Sequence, residues 1–158
     1  MKKTKEIISD KVSAVNQILP HTNKWAWDLF IDGAANNWMP TEISMAKDIE
    51  QWRGDSLTED EKLVIKRSLG FFAGSESLVA NNLLLSVFKF VTDPECRQYI
   101  LRQAYEESLH NLTVVYCCDS LGLDIEEVYE AYSSIPSIKS KDEFLMNICT
   151  DINRVDFN

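Results

Sequence analysis

Two long helical stretches of this chain each carry charged side chains inside an otherwise apolar stripe. In residues 68–88, apolar side chains recur at helical spacing, and Glu76 stands in the middle of them. In residues 96–122, Glu107 and His110 occupy central positions of a similar stripe. These two residues are three positions apart, so both side chains lie on one face of a helix with about 3.6 residues per turn. The pattern predicts that Glu76 meets Glu107 and His110 in the interior.

A buried carboxylate costs free energy unless it is paired or holds a metal ion, so two interpretations of this group follow. In the first, a protonated His110 forms a core ion pair with Glu76 and Glu107. In the second, the three side chains are metal ligands, because a Glu-x-x-His on one helix and a lone Glu on its neighbour are half of the ligand set in ferritin-like di-iron bundles. The sequence contains no second Glu-x-x-His. The residues alone leave both interpretations open.

Capping signals predict where the helices begin and end. Thr58 and Glu61 form a capping box that opens the first long helix, which is expected to continue to about Val91. Pro94 suits the first position of the second long helix, and Gly122 suits its C-terminal end. Further helices are predicted at residues 6–18, from Thr41 to about Trp52, at 124–132 and at 141–152. Strand signals are weak, so we predict an all-α fold with residues 1–158 in a single domain.

Two local features carry further expectations. Gly70 and Gly74 lie inside the first long helix, where a glycine costs about 1 kcal/mol relative to alanine. We therefore expect close packing or a local distortion of the helix beside Glu76. His21 stands next to Pro20 with no acidic residue at ligand spacing, which is typical of a loop residue.

The charge and cysteine content exclude several classes of partner. The net charge of −9 argues against binding to nucleic-acid phosphates, which requires a basic patch. No stretch approaches the roughly twenty apolar residues that a membrane helix needs, and the N-terminus lacks the apolar run of a signal peptide. The four cysteines form no CxxC pair, so they are expected to be reduced thiols. We expect a cytoplasmic protein that binds neither nucleic acid nor membranes.

Three segments of the sequence resemble the small, radical-generating subunit of class I ribonucleotide reductase. They are NNWMPTEI at 36–43, GFFAGSESLVANNLL at 70–84 and RQAYEESLHNLTVVY at 102–116. The segments stand in the family's order and at about its spacing, and the resemblance covers nearly the whole chain from Trp25 onwards. It implies a ferritin-like helical bundle, of which this chain would be the N-terminal half.

The resemblance also implies roles for individual residues. Glu76 corresponds to the first carboxylate ligand, Glu107 to the bridging carboxylate and His110 to the imidazole ligand of a dinuclear Mn/Fe or Fe/Fe centre. Trp38 resembles the buried tryptophan that passes electrons to and from the metal site. In the family, an aspartate links that tryptophan to the histidine ligand, and it would lie beyond Asn158 here.

One position departs from the family's usual pattern. Four residues after the histidine ligand, most members carry the tyrosine that holds a stable radical, whereas this chain has Val114. An aliphatic side chain there resembles the class Ic subgroup, in which the metal centre itself stores the oxidising equivalent. Tyr116 lies on the other side of the helix, where it would act either as a redox relay or as a buried structural residue.

The second departure is length, because members of the family are much longer than 158 residues. The resemblance then implies a chain that works with a complementing C-terminal half and with the large subunit, as a homodimer. Our first hypothesis is the small subunit of ribonucleoside-diphosphate reductase. The alternatives are a non-catalytic remnant or assembly module, and a different ferritin-like carboxylate oxidase.

Overall fold

The computed structural model describes residues 6–9 and 14–154, and within these ranges the chain is helical with no strand longer than an isolated bridge. The prediction of an all-α fold is confirmed for this part of the chain. Its α-helices are α1 (Lys24–Ala35), α2 (Ala46–Arg53), α3 (Glu59–Asn82), α4 (Phe88–Phe90), α5 (Pro94–Leu121), α6 (Ile125–Ser134) and α7 (Pro136–Asp151). A 3-10 turn, Pro40–Glu42, precedes α2, and a π-helical segment, Leu83–Val87, joins α3 to α4.

The two predicted long helices are present, and their ends follow the capping signals. The Thr58 hydroxyl accepts from the Glu61 amide, and the Glu61 carboxylate accepts from the Thr58 amide at 2.8 Å. The α5 helix begins at Pro94 and ends before Gly122, whose φ of 69° is the left-handed conformation that glycine adopts without strain. The start of α3 lies beside the end of α5, while Glu76 lies beside His110 further along, so the two helices are antiparallel.

The prediction of a helix at residues 6–18 is wrong for the described part of that range. Residues 6–9 and 14–18 are not helical, and positions 10–13 lie outside the described residues. The Ile7 carbonyl instead accepts from the Thr92 amide at 2.8 Å, and Ile8 forms an isolated bridge with Val91. The segment is extended because its backbone bonds to the connection between α4 and α5 rather than to itself.

The helices around the tryptophan-rich segment also differ from the prediction. No helix is predicted between residues 18 and 41, yet α1 forms there with Gly33 inside it. Gly33 is helical and packs against Arg102, whose Cγ would lie 3.1 Å from an added Cβ. The chain forms a 3-10 turn that begins at Pro40 and has Met39, not Thr41, at its N-cap, and α2 itself begins later, at Ala46.

Both glycines inside α3 lie where neighbouring helices approach closely, as expected. A Cβ on Gly70 would stand 2.6 Å from the Ala131 Cβ of α6, and one on Gly74 would stand 3.1 Å from Asp142 Oδ2 of α7. The distortion of the helix, however, falls at the π-helical segment and not beside Glu76. The two glycines therefore serve helix packing.

Two apolar clusters form the described core. One lies where α1 meets the start of α5 and contains Ala26, Val91, Cys96 and Ile100. The other lies between α3, α5 and α6 and contains Ala73, Val114, Cys118 and Val128. The predicted inward stripe of α3 is not buried throughout, because Phe72 is 46% exposed and Val79 is 38% exposed.

The continuous rod from Glu59 to Phe90 is long and apolar enough to cross a membrane, with a mean hydropathy of 1.2 over eighteen residues. The sequence expectation of no such stretch is corrected in this respect. The comparison with a membrane-spanning helix rests on length and composition only, and core helices of soluble proteins meet the same two criteria. The rod packs against α5, α6 and α7 along its length.

Asp142 on α7 is an unusual feature of the packing. It is 2% exposed, and neither carboxylate oxygen has a hydrogen-bond partner among the described residues. Burial raises the pKa of this carboxyl above its ordinary value of 3.8. At pH values between the ordinary pKa and the raised pKa, the folded state binds more protons than the unfolded state. Asp142 therefore makes the protein less stable as the pH rises.

We therefore expect Asp142→Asn to raise the free energy of unfolding at pH 7 by about 1–3 kcal/mol, because the variant removes an uncompensated buried charge. The gain should vanish below about pH 4, where aspartate is protonated in both states. Urea denaturation at pH 7 and pH 3.5 measures the difference. The matched control is Glu143→Gln, which neutralises the exposed neighbour and should change stability by less than about 0.5 kcal/mol. An equal effect of both substitutions would contradict this account.

Candidate metal centre

Glu76 on α3 and the pair Glu107 and His110 on α5 meet in the structure, as the sequence predicts. His110 Nδ1 lies 3.1 Å from Glu76 Oε2 and 3.1 Å from Glu107 Oε2. The potential ligand atoms of all three residues lie within 4.8 Å of one another. The i,i+3 spacing puts two of them on one face of α5, and the antiparallel register of α3 brings the third to the same level.

The three side chains are enclosed to different degrees. The side chain of Glu107 is 11% exposed and that of Glu76 is 17% exposed, whereas that of His110 is 43% exposed. Phe72 and Val79 flank Glu76 at helical spacing and are also exposed. The site therefore lies at an open face of the described helices, not in the closed interior that the stripes alone predict.

The group is arranged to hold positive charge. Burial raises the pKa of Glu107, and the neighbouring Glu76 carboxyl raises it further, while His110 opposes both effects. Burial alone would lower the pKa of His110, but its hydrogen bonds to Glu76 and Glu107 raise it overall. Without another cation, the arrangement favours a proton on Nδ1 shared between the two carboxylates. A metal ion bound here would have to displace that proton.

Trp38 lies directly against this group. Its ring stacks on the imidazole of His110, with the ring centroids 6.1 Å apart and the planes at 29°. Its indole Nε1 donates to Glu106 Oε2 at 2.9 Å. The sequence analysis did not identify Glu106. Two consecutive residues on a helix face directions about 100° apart, so Glu106 and Glu107 contact different neighbours.

Comparison with known proteins then decides the family. Residues 15–157 match the family model for the ribonucleotide reductase small chain. The chain belongs to this family. The beta subunit of ribonucleoside-diphosphate reductase from Chlamydia pneumoniae is 54% identical over 138 residues, which are 87% of this chain and 40% of that protein. The small chain 1 from Saccharomyces cerevisiae is 30% identical over 79% of this chain and 32% of that protein.

Solved structures of ribonucleotide reductase small subunits share the fold. The R2 subunit from Clostridium botulinum superposes with a TM-score of 0.78 and 21% identity, over 95% of this chain and 51% of that one. A putative class I ribonucleotide reductase from Bacillus halodurans gives a TM-score of 0.75 and 24% identity, over 84% and 47% of the two chains. The ferritin-like helical fold is confirmed. The chain spans about a third to a half of the length of these relatives.

The residues present fit part of the dinuclear metal centre that the ribonucleotide reductase small-chain family implies. Two carboxylate oxygens and one imidazole nitrogen form a donor set that suits iron or manganese. Glu76, Glu107 and His110 therefore have the chemistry and the proximity of ligands. Their assignment as ligands stays a prediction, as does the identity of the metals.

The structure also shows the surroundings of Val114 and Tyr116, where the sequence departs from the usual family pattern. Val114 is 4% exposed and lies in the apolar cluster with Ala73 and Val128. The Tyr116 hydroxyl donates to the Ile43 carbonyl at 2.8 Å, which ties α5 to the segment before α2. This hydrogen bond favours the structural interpretation of Tyr116, and a redox role for it stays a prediction.

Proposed function

We propose that this chain provides Glu76, Glu107 and His110 to the dinuclear Mn/Fe or Fe/Fe centre of a ribonucleoside-diphosphate reductase small subunit. In the complete protein, that centre would activate dioxygen and supply the oxidising equivalent with which the large subunit converts ribonucleotides to deoxyribonucleotides. The proposal rests on the meeting of three metal-ligand side chains at the positions that the family resemblance assigns to ligands.

Each side chain of the site has a distinct part in this proposal. Glu76 and Glu107 would bind the cations through oxygens that otherwise share the proton of His110. His110 would bind through a ring whose orientation is fixed by both carboxylates and by the stacked Trp38. Trp38 would carry electrons between this site and the rest of the assembly. The Tyr116 hydroxyl donates a hydrogen bond to a backbone carbonyl.

The remaining ligands would come from a complementing polypeptide. The chain spans 40% of the Chlamydia pneumoniae relative, and its three donor residues are half of a ferritin-like ligand set. The exposed Phe72 and Val79 beside Glu76 form an apolar edge that such a polypeptide would cover. We propose the large subunit as the further partner, a homodimer as the assembly and the cytoplasm as its location.

A second candidate function, a non-catalytic assembly module, is favoured by one observation. His110 Nδ1 already contacts both carboxylates, so each acid has a polar partner without a metal ion. In that case the chain would bind a complementing polypeptide by its open face and hold a proton where other members of the family hold cations.

Coexpression distinguishes the two candidates. The complementing polypeptide would be the part of the Chlamydia pneumoniae subunit that this chain does not match. We expect the purified complex to contain iron or manganese by elemental analysis and to form deoxyribonucleotides when the large subunit is added. Each polypeptide purified alone is the control and should do neither. A stable complex that stays free of metal would overturn the catalytic proposal and support the assembly module.

A further inference from the structure

We propose that Ser77 on α3 and Asn111 on α5 are positioning residues that hold Glu76 beside Glu107 and His110. Each stands next to a candidate ligand in sequence, and the two side chains meet between the helices. The pair itself does not depend on a metal ion. Its consequence for metal binding rests on the function proposed above.

Glu76 is the candidate ligand whose placement local geometry does not fix. Glu107 and His110 share α5, so their i,i+3 spacing sets their separation. Glu76 reaches them only if α3 lies at the right level beside α5, and a slip of one residue along the helix axis is about 1.5 Å. Added to the 3.1 Å between Glu76 Oε2 and His110 Nδ1, such a slip would break the contact.

Apolar packing does not supply this register on its own. Ala73 of α3 belongs to one apolar cluster with Val114 and Cys118 of α5, but apolar contacts carry no directional preference. Among the described residues, the hydrogen bond between Ser77 and Asn111 is the only one that joins α3 to α5 outside the candidate ligands themselves. A directional contact of this kind fixes the level of one helix against the other.

The surroundings of the Asn111 amide define which atom donates. Its Nδ2 lies 3.3 Å from the Glu107 carbonyl oxygen, which can only accept, so the amide nitrogen faces that oxygen. Oδ1 therefore faces α3, where the Ser77 hydroxyl donates to it at 3.3 Å. The same hydroxyl lies 3.4 Å from the Ala73 carbonyl of its own helix, so its single proton is shared between two acceptors. Asn111 thus connects the backbone of Glu107 to the side chain of Ser77.

The pair lies beside the candidate metal centre without occupying it. Ser77 follows Glu76 and Asn111 follows His110 in sequence, so each points about 100° away from the adjacent ligand. Both residues are half-buried, which partly protects the hydrogen bond from water. Because both partners belong to α3 and α5, the pair needs no group from a complementing polypeptide. Metal ions and the remaining ligands would therefore meet three donors that are already aligned.

Nuclear magnetic resonance of the metal-free chain tests this alignment directly. In the parent we expect nuclear Overhauser contacts from the His110 ring to the side chains of both Glu76 and Glu107, because Nδ1 lies 3.1 Å from each carboxylate. Ser77→Ala should weaken the contact to Glu76, which crosses between the helices, and keep the contact to Glu107, which lies within α5. Ser77→Thr keeps the hydroxyl and should retain the parent's ratio of the two contacts. A purely structural role of Ser77 would lower stability but leave that ratio unchanged in the folded chain.

Metal affinity provides the second measurement, on the chain coexpressed with the complementing polypeptide. The electron paramagnetic resonance signal of free Mn²⁺ reports the dissociation constant. We expect Ser77→Ala and Asn111→Leu each to raise it about tenfold, the lower end of what the loss of an outer-shell partner costs. The double variant should bind Mn²⁺ no more weakly than either single variant, because removing one partner already breaks the pair.

Ser68→Ala is the matched control for both measurements. Ser68 is exposed on α3, and its hydroxyl donates to the Val64 carbonyl of its own helix. The substitution makes the same chemical change as Ser77→Ala without touching α5. It should change neither the ratio of the two contacts nor the affinity for Mn²⁺.

The possible outcomes separate the positioning role from the proposed function. A parent complex that takes up no Mn²⁺ would overturn the function, while the ratio of Overhauser contacts in the metal-free chain would still decide the positioning role. An unchanged ratio in Ser77→Ala, unchanged Mn²⁺ affinity in both single variants, or additive losses in the double variant would overturn the positioning role. If the variants fail to fold, the parent alone decides, because a contact between the Ser77 β-protons and the Asn111 side-chain amide is expected and its absence would rule out the pair.

Discussion

Replacing Glu107 with glutamine is expected to reduce the metal content of the complemented protein at least about 100-fold, which is more than the loss of an outer-shell partner costs. Glutamine has nearly the same size and can still contact His110, but it lacks the negative charge that a hard cation requires. Glu107 lies 3.1 Å from His110 Nδ1 and is the more enclosed of the two acids at the site. Its loss should leave the cation with too little compensating charge.

Iron and manganese would be measured by elemental analysis after coexpression with the complementing polypeptide. Asp119→Asn makes the same chemical change at an exposed position of α5 and should keep the parent's metal content. Circular dichroism checks that both variants retain the helices. Equal metal content in Glu107→Gln and the control would show that Glu107 is not a ligand and would favour the ion-pair interpretation of the site.

Replacing Glu95 with alanine is expected to lower the free energy of unfolding by about 2–4 kcal/mol, because several partly buried donors would lose their acceptor. Glu95 is fully buried at the start of α5. It accepts from His21 Nδ1 at 2.6 Å and from the backbone amides of Thr22 and Asn23 at 2.8 and 2.6 Å. These contacts fasten the segment before α1 to the beginning of α5.

The pH dependence of stability should change with the same substitution. Burial alone would raise the pKa of Glu95, but the hydrogen bonds from Asn23, Thr22 and His21 lower it overall below its ordinary value of 4.5. Its stabilising effect is therefore complete above that value and is lost as the pH falls through the lowered pKa.

Urea denaturation at pH 7 and in acid measures both effects of the Glu95 substitution. Glu130→Ala, at an exposed position of α6, is the control and should change stability by less than about 0.5 kcal/mol. If Glu95→Ala were no more destabilising at pH 7 than this control, the segment before α1 would not be held by Glu95.

Local chemistry explains which parts of the fold could be predicted. The ends of the long helices depend on side chains within a few residues, such as Thr58 with Glu61, and on the special backbone of Pro94 and Gly122. The α6 and α7 helices were also foreseen, although α7 begins at Pro136, earlier than expected. The segment at 6–9 has helical periodicity, but its backbone bonds to residues more than eighty positions away, which no local pattern reveals.

The long-range pairs of polar residues explain what was missed. His21 was expected in a loop with no acid near it in sequence, yet it contacts Glu95, 74 residues away. The sequence pattern assigns no role to Glu106, yet it meets Trp38, 68 residues earlier. Asp142 gave no sign that its helix would bury it against Gly74. In each case the partner depends on which helix lies alongside and at what rotation.

The sequence by itself determined that two long helices would carry Glu76, Glu107 and His110 at corresponding levels, because helical spacing and capping are properties of neighbouring residues. The tertiary structure alone decided that the imidazole would stay half-exposed at an open face, and that the ring of Trp38 would stack on it. The physical reason is that burial and long-range pairing depend on how the helices approach one another, and residues within one helix do not contain that information.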